Sequence, residues 1–302
     1  MTDVSIIVVS YNARDHLERC LAEVADGPHE VIVVDNASTD GSPELVRSRF
    51  PSVRLVELTE NRGFGAGNNE GMRVAGGRYF LLLNSDAWPV GEAIEELVSF
   101  ADVRPQLAVA GPRLVGLDGR VQASVRGFPT VWRLATEYFF LRKLAPRSRA
   151  FNAFYGAGFD YASTRQADFL MGAVLLLRRE AVVQVGNFDE DFFMFSEETD
   201  LCYRMREAGW TVEFDPASEF VHVGGASTKP EWGRMYREQL RGHLLFLAKH
   251  RSLGQAERAR RMLVRALRVR GVLFRGERGE TYRSAADWLA SAPAKTLLES
   301  RG

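Results

Sequence analysis

Four short polar clusters in the first third of this 302-residue chain have the residue types that bind a charged ligand. They are Ser10-Tyr11-Asn12, Asp35-Asn36-Ala37-Ser38-Thr39-Asp40-Gly41, Asn61-Arg62-Gly63-Phe64-Gly65-Ala66-Gly67-Asn68-Asn69 and Asn84-Ser85-Asp86, and each follows a run of apolar residues. One acid after a strand ordinarily caps the next helix. Four polar strand ends in succession describe a ligand edge instead, because open α/β sheets bind ligands beyond the carboxyl ends of their strands. Further along, Glu197-Glu198-Thr199-Asp200 opens a helical pattern, where acids also favour the positive end of the helix dipole. The lone His222 precedes Gly224-Gly225-Ala226-Ser227, and a lone histidine in such a place is more often a structural hydrogen-bonder than a ligand. The chain has no G-x-x-x-x-G-K-S/T loop and no G-x-G-x-x-G directly after its first strand, which argues against a P-loop nucleotidase and an ordinary dinucleotide enzyme. Gly63, Gly65 and Gly67 would let backbone approach a ligand.

The elements that position these clusters follow from periodicity. Residues 4–9, VSIIVV, form an unalternating β-branched run, the pattern of a strand buried on both faces. Asn12 then reads as the cap of a helix with Asp15 in its first turn and Leu17, Cys20, Leu21 and Val24 on one face. The cycle repeats with a strand at 31–34, Ser42-Pro43 as cap and first residue of a helix to about 50, a strand at 53–58, a helix at 66–74 and a strand at 79–83. This alternation predicts a mostly parallel sheet covered on both faces. After Trp88-Pro89 the pattern predicts a helix to about 102, then a hairpin within 114–124 turning at Asp118-Gly119. Residues 128–161 read as a long aperiodic excursion holding one helix. A buried strand at 172–177, a short helix from Arg179, a helix at 197–208 and amphipathic helices at 231–250 and 255–273 complete the chain.

At 46% hydrophobic and 26% charged residues the composition is that of an ordinary globular protein. Cys20 and Cys202 both fall in predicted helices and offer no disulfide framework, so the expected setting is the reducing cytoplasm. The N-terminus enters an apolar run with no charged leader, and no apolar stretch nears the ~18 residues of a spanning helix, so neither a signal peptide nor an integral segment is expected. A net charge of zero conceals a dipole. Residues 229–283 carry 15 Lys and Arg against 5 Asp and Glu, net +10, leaving −10 elsewhere because the whole chain balances at 39 against 39. An acidic body suits carboxylates gathered around a metal, and a basic tail suits an anionic surface. In the last predicted helix Arg258, Arg260, Arg261, Arg265, Arg268 and Arg270 alternate with Met262, Leu263, Ala266, Leu267 and Leu273, the composition of a membrane-interface helix. No nucleic-acid motif or stacking platform accompanies them, and nucleic acid is not an expected partner. In the excursion, Trp132, Tyr138, Phe139, Phe140, Phe151, Phe154 and Tyr155 beside Arg142 and Lys143 fit a membrane interface, an acceptor lid or a packed insertion.

The segments VSYN, VVDNASTDGS, NRGFGAGN and LLNSD, followed by MGAVLLLRREA, FDEDFFMFSEETDLCYRMREAGW and HVGGAS, resemble inverting family 2 glycosyltransferases over about residues 4–227. The closest flavour is the bacterial rhamnosyltransferase-like branch that builds cell-wall or surface polysaccharide. The resemblance implies an α/β GT-A fold, a mostly parallel central sheet flanked by helices, with a C-terminal helical extension. The catalytic domain is then 1–228, with a nucleotide-sugar half at about 1–110 and an acceptor half at about 111–228, and the basic helical tail is 229–302. It also implies a divalent cation, Mg²⁺ or Mn²⁺, because a leaving nucleoside diphosphate gathers negative charge and hard cations take carboxylate oxygens. Asp86 stands where the family has the second acid of D-x-D, and Asn84 replaces the first. His222 matches a position near the diphosphate, as a metal ligand or phosphate contact. Asp35 resembles the acid that reads base and ribose, with Ser10, Arg62 and Gly63 beside it. The reaction needs a base for the acceptor hydroxyl. Glu198 falls at the base position of the family's E-D-x-D, with Glu for the usual Asp, and Asp200 is the reserve candidate.

The expected activity is transfer of a sugar, rhamnose by expectation, from a dTDP- or UDP-linked donor to a lipid-linked or surface glycan acceptor at the cytoplasmic face of the membrane. Two other readings stand beside it. A nucleotidyltransferase on a similar sheet would want an early basic phosphate loop, and none is visible near Ser10. A catalytically degenerate sugar-nucleotide-binding protein would account for Asn84 and Glu198. Donor hydrolysis with and without divalent metal separates these from the first.

Overall fold

The computed structural model describes residues 3–156, 158–224 and 232–299. Strands and helices alternate through the first third: β1 (Val4–Ser10), α1 (Arg14–Val24), β2 (Glu30–Asp35), α2 (Ser42–Arg49), β3 (Arg54–Glu57), α3 (Phe64–Val74) and β4 (Tyr79–Asn84). The middle holds β5 (Ala87–Pro89), α4 (Ala93–Asp102), β6 (Leu107–Val115), β7 (Val125–Arg126), α5 (Val131–Tyr138), α6 (Arg149–Asn152), β8 (Arg165–Gln166), β9 (Phe169–Leu170) and β10 (Val174–Arg178). The chain continues through α7 (Arg179–Val185), α8 (Glu197–Glu207), β11 (Thr211–His222), α9 (Trp232–His250), α10 (Leu253–Leu273), α11 (Gly276–Ser291) and α12 (Ala294–Glu299). These elements form two compact units, one of Met1–Val125, Asp160–Phe193 and Glu197–Lys229, the other of Arg126–Phe159, Met194–Ser196 and Pro230–Gly302. The division differs from a single cut after residue 228, because the excursion joins the unit that holds the tail.

The first unit is built on a nine-stranded sheet in the order β3-β2-β1-β4-β10-β6-β11-β5, with β8 against β11. Ile6, Ile7 and Val8 have no exposed surface, as an unalternating apolar strand with both faces covered requires. The expected mostly parallel sheet is present, but β10 runs antiparallel to both β4 and β6, and β5 and β8 run antiparallel to β11. Because β10 is reversed between them, β6 and β11 point the same way as β1–β4. The carboxyl ends of β3, β2, β1, β4, β6 and β11 therefore share one edge. The strands β5 and β6 were not anticipated, the apolar run 107–115 being broken by Gly111 and Pro112; of β11 only its end at His222 was expected, since 211–222 is broken by Asp215 and Pro216.

Two sequence expectations change here. Asn12 does not cap α1; it takes a left-handed backbone (φ 47°), and its Oδ1 accepts from the Thr39 amide at 2.8 Å while its own amide donates to Ser38 Oγ at 2.9 Å. The Arg14 amide at the start of α1 is capped by Asp40 Oδ2 at 2.8 Å, whose Oδ1 accepts from the Ser42 amide at 3.0 Å. Ser42 thus lies inside α2, with Gly41 as its cap residue. One carboxylate from the second strand end closes two helices and stitches two loops together. The glycine series also has a packing role. A Cβ at Gly67 would stand 2.8 Å from Val9 Cγ1, and one at Gly71 would stand 2.4 Å from Ile7 Cγ2, so α3 lies directly on β1.

The second unit has its own core, in which Leu134 and Tyr138 pack with Leu240, Leu244, Leu263, Leu267 and Leu289. The excursion's aromatics are part of this interior: Phe128 stacks on Phe246, and Tyr138 and Phe154 both present edges to His243. Residues 128–161 hold two helices where one was expected, and α11 and α12 extend beyond the two anticipated tail helices. The start of the expected helix at 231 and the residues Gly225, Ala226 and Ser227 lie outside the described residues. Arg270, read from sequence as one of the cations of a membrane-interface helix, is buried. It donates to the Tyr138 and Glu137 carbonyls, each at 2.8 Å, and lies over the rings of Tyr138, Phe140 and Tyr282. Arg270→Ala takes the guanidinium donor from both carbonyls, the Glu137 carbonyl keeping the Phe140 amide at 3.1 Å, and should destabilise the protein by about 3 kcal/mol, whereas Arg268→Ala on the exposed side should stay within about 0.5 kcal/mol. Equal costs in chemical denaturation would contradict the buried role.

Candidate active site

The shared carboxyl edge gathers most of the candidate residues. Ser10 and Asp35 pair in register at the ends of β1 and β2, and both are buried, at 1% and 2% exposure. Asp35 Oδ2 accepts from the Ser38 amide at 2.8 Å. Its Oδ1 and the Ser10 hydroxyl have no hydrogen-bond partner among the described residues. Burial raises the pKa of the Asp35 carboxyl against the lowering effect of Ser38. A cleft of about 450 Å³ opens here, lined by Asp35, Ala37, Ser38, Thr39, Gly41 and Glu57. Buried polar atoms are ordinarily satisfied, and two left open beside a cleft mark where a ligand's donors belong.

At the neighbouring strand end, Asp86 Oδ1 faces His222 Nε2 at 3.5 Å, and both residues are buried. The pairing of His222 opposite Ala87 in the β11–β5 ladder sets this proximity. The Gly224 amide donates to Asp86 Oδ2 at 3.0 Å, and the Val223 amide donates to the Asp86 carbonyl at 3.0 Å, so residues 222–224 wrap around the acid. At 3.5 Å the pair is wider than the 2.7–2.9 Å typical of a charge-assisted hydrogen bond. It is close to the ~3 Å that separates adjacent ligands on a small octahedral cation with ~2.1 Å bonds. Among the described residues no three His, Cys, Asp or Glu side chains gather at one point. An oxygen and an imidazole nitrogen fit a Mg²⁺- or Mn²⁺-type ion whose other ligands are diphosphate oxygens and water. Asn84 ends β4 on the same edge, its amide donating to the Ala173 carbonyl at 2.9 Å.

The acidic cluster reaches this edge by topology. Val174 of β10 pairs with Leu83 of β4, so the residues just before β10 lie beyond the carboxyl end of β4. A Cβ on Gly172 there would meet the Phe64 ring at 3.6 Å and Glu198 Cβ at 3.8 Å, which brings Glu198 alongside. Of the three acids, Glu198 alone is partly exposed. Glu197 is buried, and burial together with the Glu198 carboxylate pushes its pKa well above the ordinary value. Asp200 is buried and paired with Arg204 Nε at 2.7 Å. The other Arg204 nitrogens hold the carbonyls of Val185, Gly186 and Asn187, so Asp200 serves to orient an arginine clamp and is a poor reserve base. Phe195 and Ser196, just before α8, are consecutive non-glycine residues with φ of 67° and 73°, a strained entry of the kind found at functional sites.

Two of the predicted contact residues also have roles within the protein. The Arg62 guanidinium points to Glu70 at 3.3 Å and Glu190 at 2.6 Å, and its amide donates to Asn36 Oδ1 at 3.0 Å. Gly63 is needed for packing, because a Cβ there would stand 2.0 Å from the Phe193 carbonyl oxygen, and its φ is +88°. Two asparagines of the polar clusters tie loops in place: Asn36 donates to the Gly63 carbonyl at 2.9 Å, and Asn69 pairs with both backbone groups of Phe188 at 3.0 Å; Gln122 was not among the candidates. Gln122 contacts His222 twice, Oε1 lying 2.7 Å from Nδ1 and Nε2 donating to the carbonyl at 2.6 Å. The Asp118-Gly119 turn was the available signal, since it returns the chain toward the sheet edge.

The sequence profile described as "Glycosyl transferase family 2" matches residues 5–167. The chain is 33% identical over 272 residues to N-acetylglucosaminyl-diphospho-decaprenol L-rhamnosyltransferase of Mycobacterium tuberculosis, covering 83% of this chain and 86% of the relative. It is 23% identical over 264 residues to the rhamnosyltransferase WbbL of Escherichia coli, covering 83% and 94%. In structure it is similar to mannosyltransferase PcManGT from Pyrobaculum calidifontis in complex with GDP-Man and Mn²⁺, with a TM-score of 0.55 and 19% identity over 99% of this chain and 85% of that one. It is also similar to GalNAc-T7 with UDP, GalNAc and Mn²⁺, with a TM-score of 0.59 and 14% identity over 99% of this chain and 58% of that longer one. These likenesses establish the GT-A fold.

The packing at Gly63 generates a test. Gly63→Ala combines left-handed strain with a clash against backbone and should cost about 3 kcal/mol, whereas Gly119→Ala carries strain alone, with nothing within 4 Å of the new methyl, and should cost about 1 kcal/mol. Equal losses in denaturant unfolding would show that the Phe193 contact yields.

Proposed function

Since the chain belongs to glycosyltransferase family 2, we propose that it is an inverting transferase that moves a sugar, rhamnose on the strength of its relatives, from a dTDP- or UDP-linked donor to a lipid-diphosphate-linked glycan. One observation carries the donor half of this reading. Two open polar atoms, the Ser10 hydroxyl and Asp35 Oδ1, and the facing pair Asp86–His222 stand at successive ends of one sheet edge. Ser10 and Asp35 take the donors of base and ribose, and Asp86 and His222 hold the divalent cation. The cation, when bound, neutralises charge developing on the departing diphosphate. Glu198 takes the proton of the acceptor hydroxyl. Its longer side chain, in place of aspartate, sets the reach to that hydroxyl.

For the base, Glu198→Gln keeps shape but removes the proton acceptor. Transfer from dTDP-rhamnose to a polyprenyl-diphosphate-linked N-acetylglucosamine should fall ~10²–10⁴-fold, with thermal stabilisation by the donor unchanged. Asp86→Ala should lose metal-stimulated transfer outright. Wild-type rates in Glu198→Gln would remove it as the base, and a donor bound without any transfer to any glycan would favour the degenerate binding protein.

We further read the second unit as the part that meets the membrane, from the cytoplasmic side. No helix of the described residues is long and apolar enough to cross a bilayer. Arg258, Arg261, Arg265 and Arg268 form an exposed stripe on α10, ending near Val269, Val272 and Leu273, which are 46%, 83% and 64% exposed. Arg260, bonded to Glu257 and the Leu289 carbonyl, faces inward with Arg270 and leaves this stripe. Cations around a short apolar tip match an anionic bilayer. Replacing Arg258, Arg265 and Arg268 together by Gln should weaken co-sedimentation with anionic vesicles ~10²-fold, at about 1 kcal/mol each, and salt should weaken the wild type similarly. Unchanged, salt-insensitive binding would contradict it.

A further inference from the structure

Gln122 spends its whole amide on a single residue. Its Nε2 lies 2.6 Å from the His222 carbonyl oxygen and its Oε1 lies 2.7 Å from His222 Nδ1. A backbone carbonyl only accepts hydrogen bonds, so the NH₂ end must face it, which turns the amide oxygen toward the ring. An amide oxygen also only accepts, so Nδ1 must carry a proton. In the neutral ring the lone pair is then on Nε2, the atom 3.5 Å from Asp86 Oδ1. The geometry points to Gln122 as a positioning residue. It fixes the tautomer and orientation of His222 so that two electron pairs, from Asp86 and His222, converge on one point.

The hairpin is built to deliver this side chain. The Gln122 amide donates to the Leu114 carbonyl at 2.8 Å, Val121 bridges to Val115, and Gly119 turns the loop with φ +74°. Gln122 therefore stands beside Leu114 at the end of β6, whose last residues pair with those of β11. Ligating histidines are commonly held through their second nitrogen, and loss of such a partner weakens metal affinity 10–100-fold. We infer that Gln122 sets the cation affinity of this site without touching the cation. The inference rests on the cation reading of Asp86 and His222 given above.

The test uses the full chain labelled with ¹⁵N. Long-range ¹H–¹⁵N spectra of the metal-free protein, with His222→Ala identifying the His222 signals, should show Nδ1 protonated and Nε2 not. In Gln122→Leu and Gln122→Ala, checked by their backbone amide spectra for an intact fold, that preference should be lost. Mn²⁺ affinity in saturating dTDP, read from the EPR signal of free Mn²⁺, should fall 10–100-fold. A folded Gln122 variant that keeps the wild-type tautomer, or keeps wild-type Mn²⁺ affinity, overturns the inference. If His222→Ala binds Mn²⁺ as tightly as wild type, the cation reading fails and Gln122's effect on affinity fails with it. The tautomer is decided by the spectrum alone, so the two failures are told apart.

Discussion

Polar atoms buried without hydrogen-bond partners impose the constraint from which the rest of the site follows. Each such atom costs about 1–3 kcal/mol in a finished protein, and a fold of this size has little stability to spare. Yet Ser10 Oγ and Asp35 Oδ1 are left open at adjacent strand ends, and a histidine nitrogen is turned toward a carboxylate nearby. A site with open polar atoms at Ser10 and Asp35 is stable on its own terms and is suited to a ligand that brings partners for them. A nucleoside diphosphate sugar with its cation is such a ligand.

Topology makes that arrangement affordable in structural terms. Reversing one strand, β10, lets β6 and β11 rejoin the direction of β1–β4, so that hairpin, histidine and the four early strand ends all open on the same side. The same reversal brings residues 171–173 past the end of β4 and gives Glu198 its place there. The rigidity comes from cross-stitching. Asp40 caps two helices, Asn36 and Asn69 tie the α3 loop to its neighbours, and Arg204 gathers three carbonyls under the direction of Asp200. Loops held this way present their side chains at fixed positions, as electrostatic catalysis requires.

Much of this was legible in the sequence. Uniformly apolar strands and polar strand ends announce themselves locally, and they located the sheet and the carboxyl edge on which Ser10, Asp35, Asn84 and Asp86 stand. What was not legible depends on contacts distant in sequence. Asn12 looks like a cap until Asp40, from another loop, takes the donor at 2.8 Å. Gly63 and Gly67 look like places where backbone meets a ligand, but the space of their missing side chains is taken by Phe193 and Val9. Arg270 looks like one more cation on a wet face until three rings and two carbonyls surround it. For Gln122 the only local signal is the Asp118-Gly119 turn, and its role arises only when the chain folds across the 100 positions to His222.

The central claim is that one sheet edge holds nucleotide and cation together, and diffraction tests it most directly. Crystals grown with dTDP and Mn²⁺, measured at the manganese absorption edge, should give an anomalous peak within bonding distance of both Asp86 Oδ1 and His222 Nε2, with the base in the cleft beside Asp35. A nucleotide bound at that cleft with no manganese between Asp86 and His222, or manganese held elsewhere, would contradict the account.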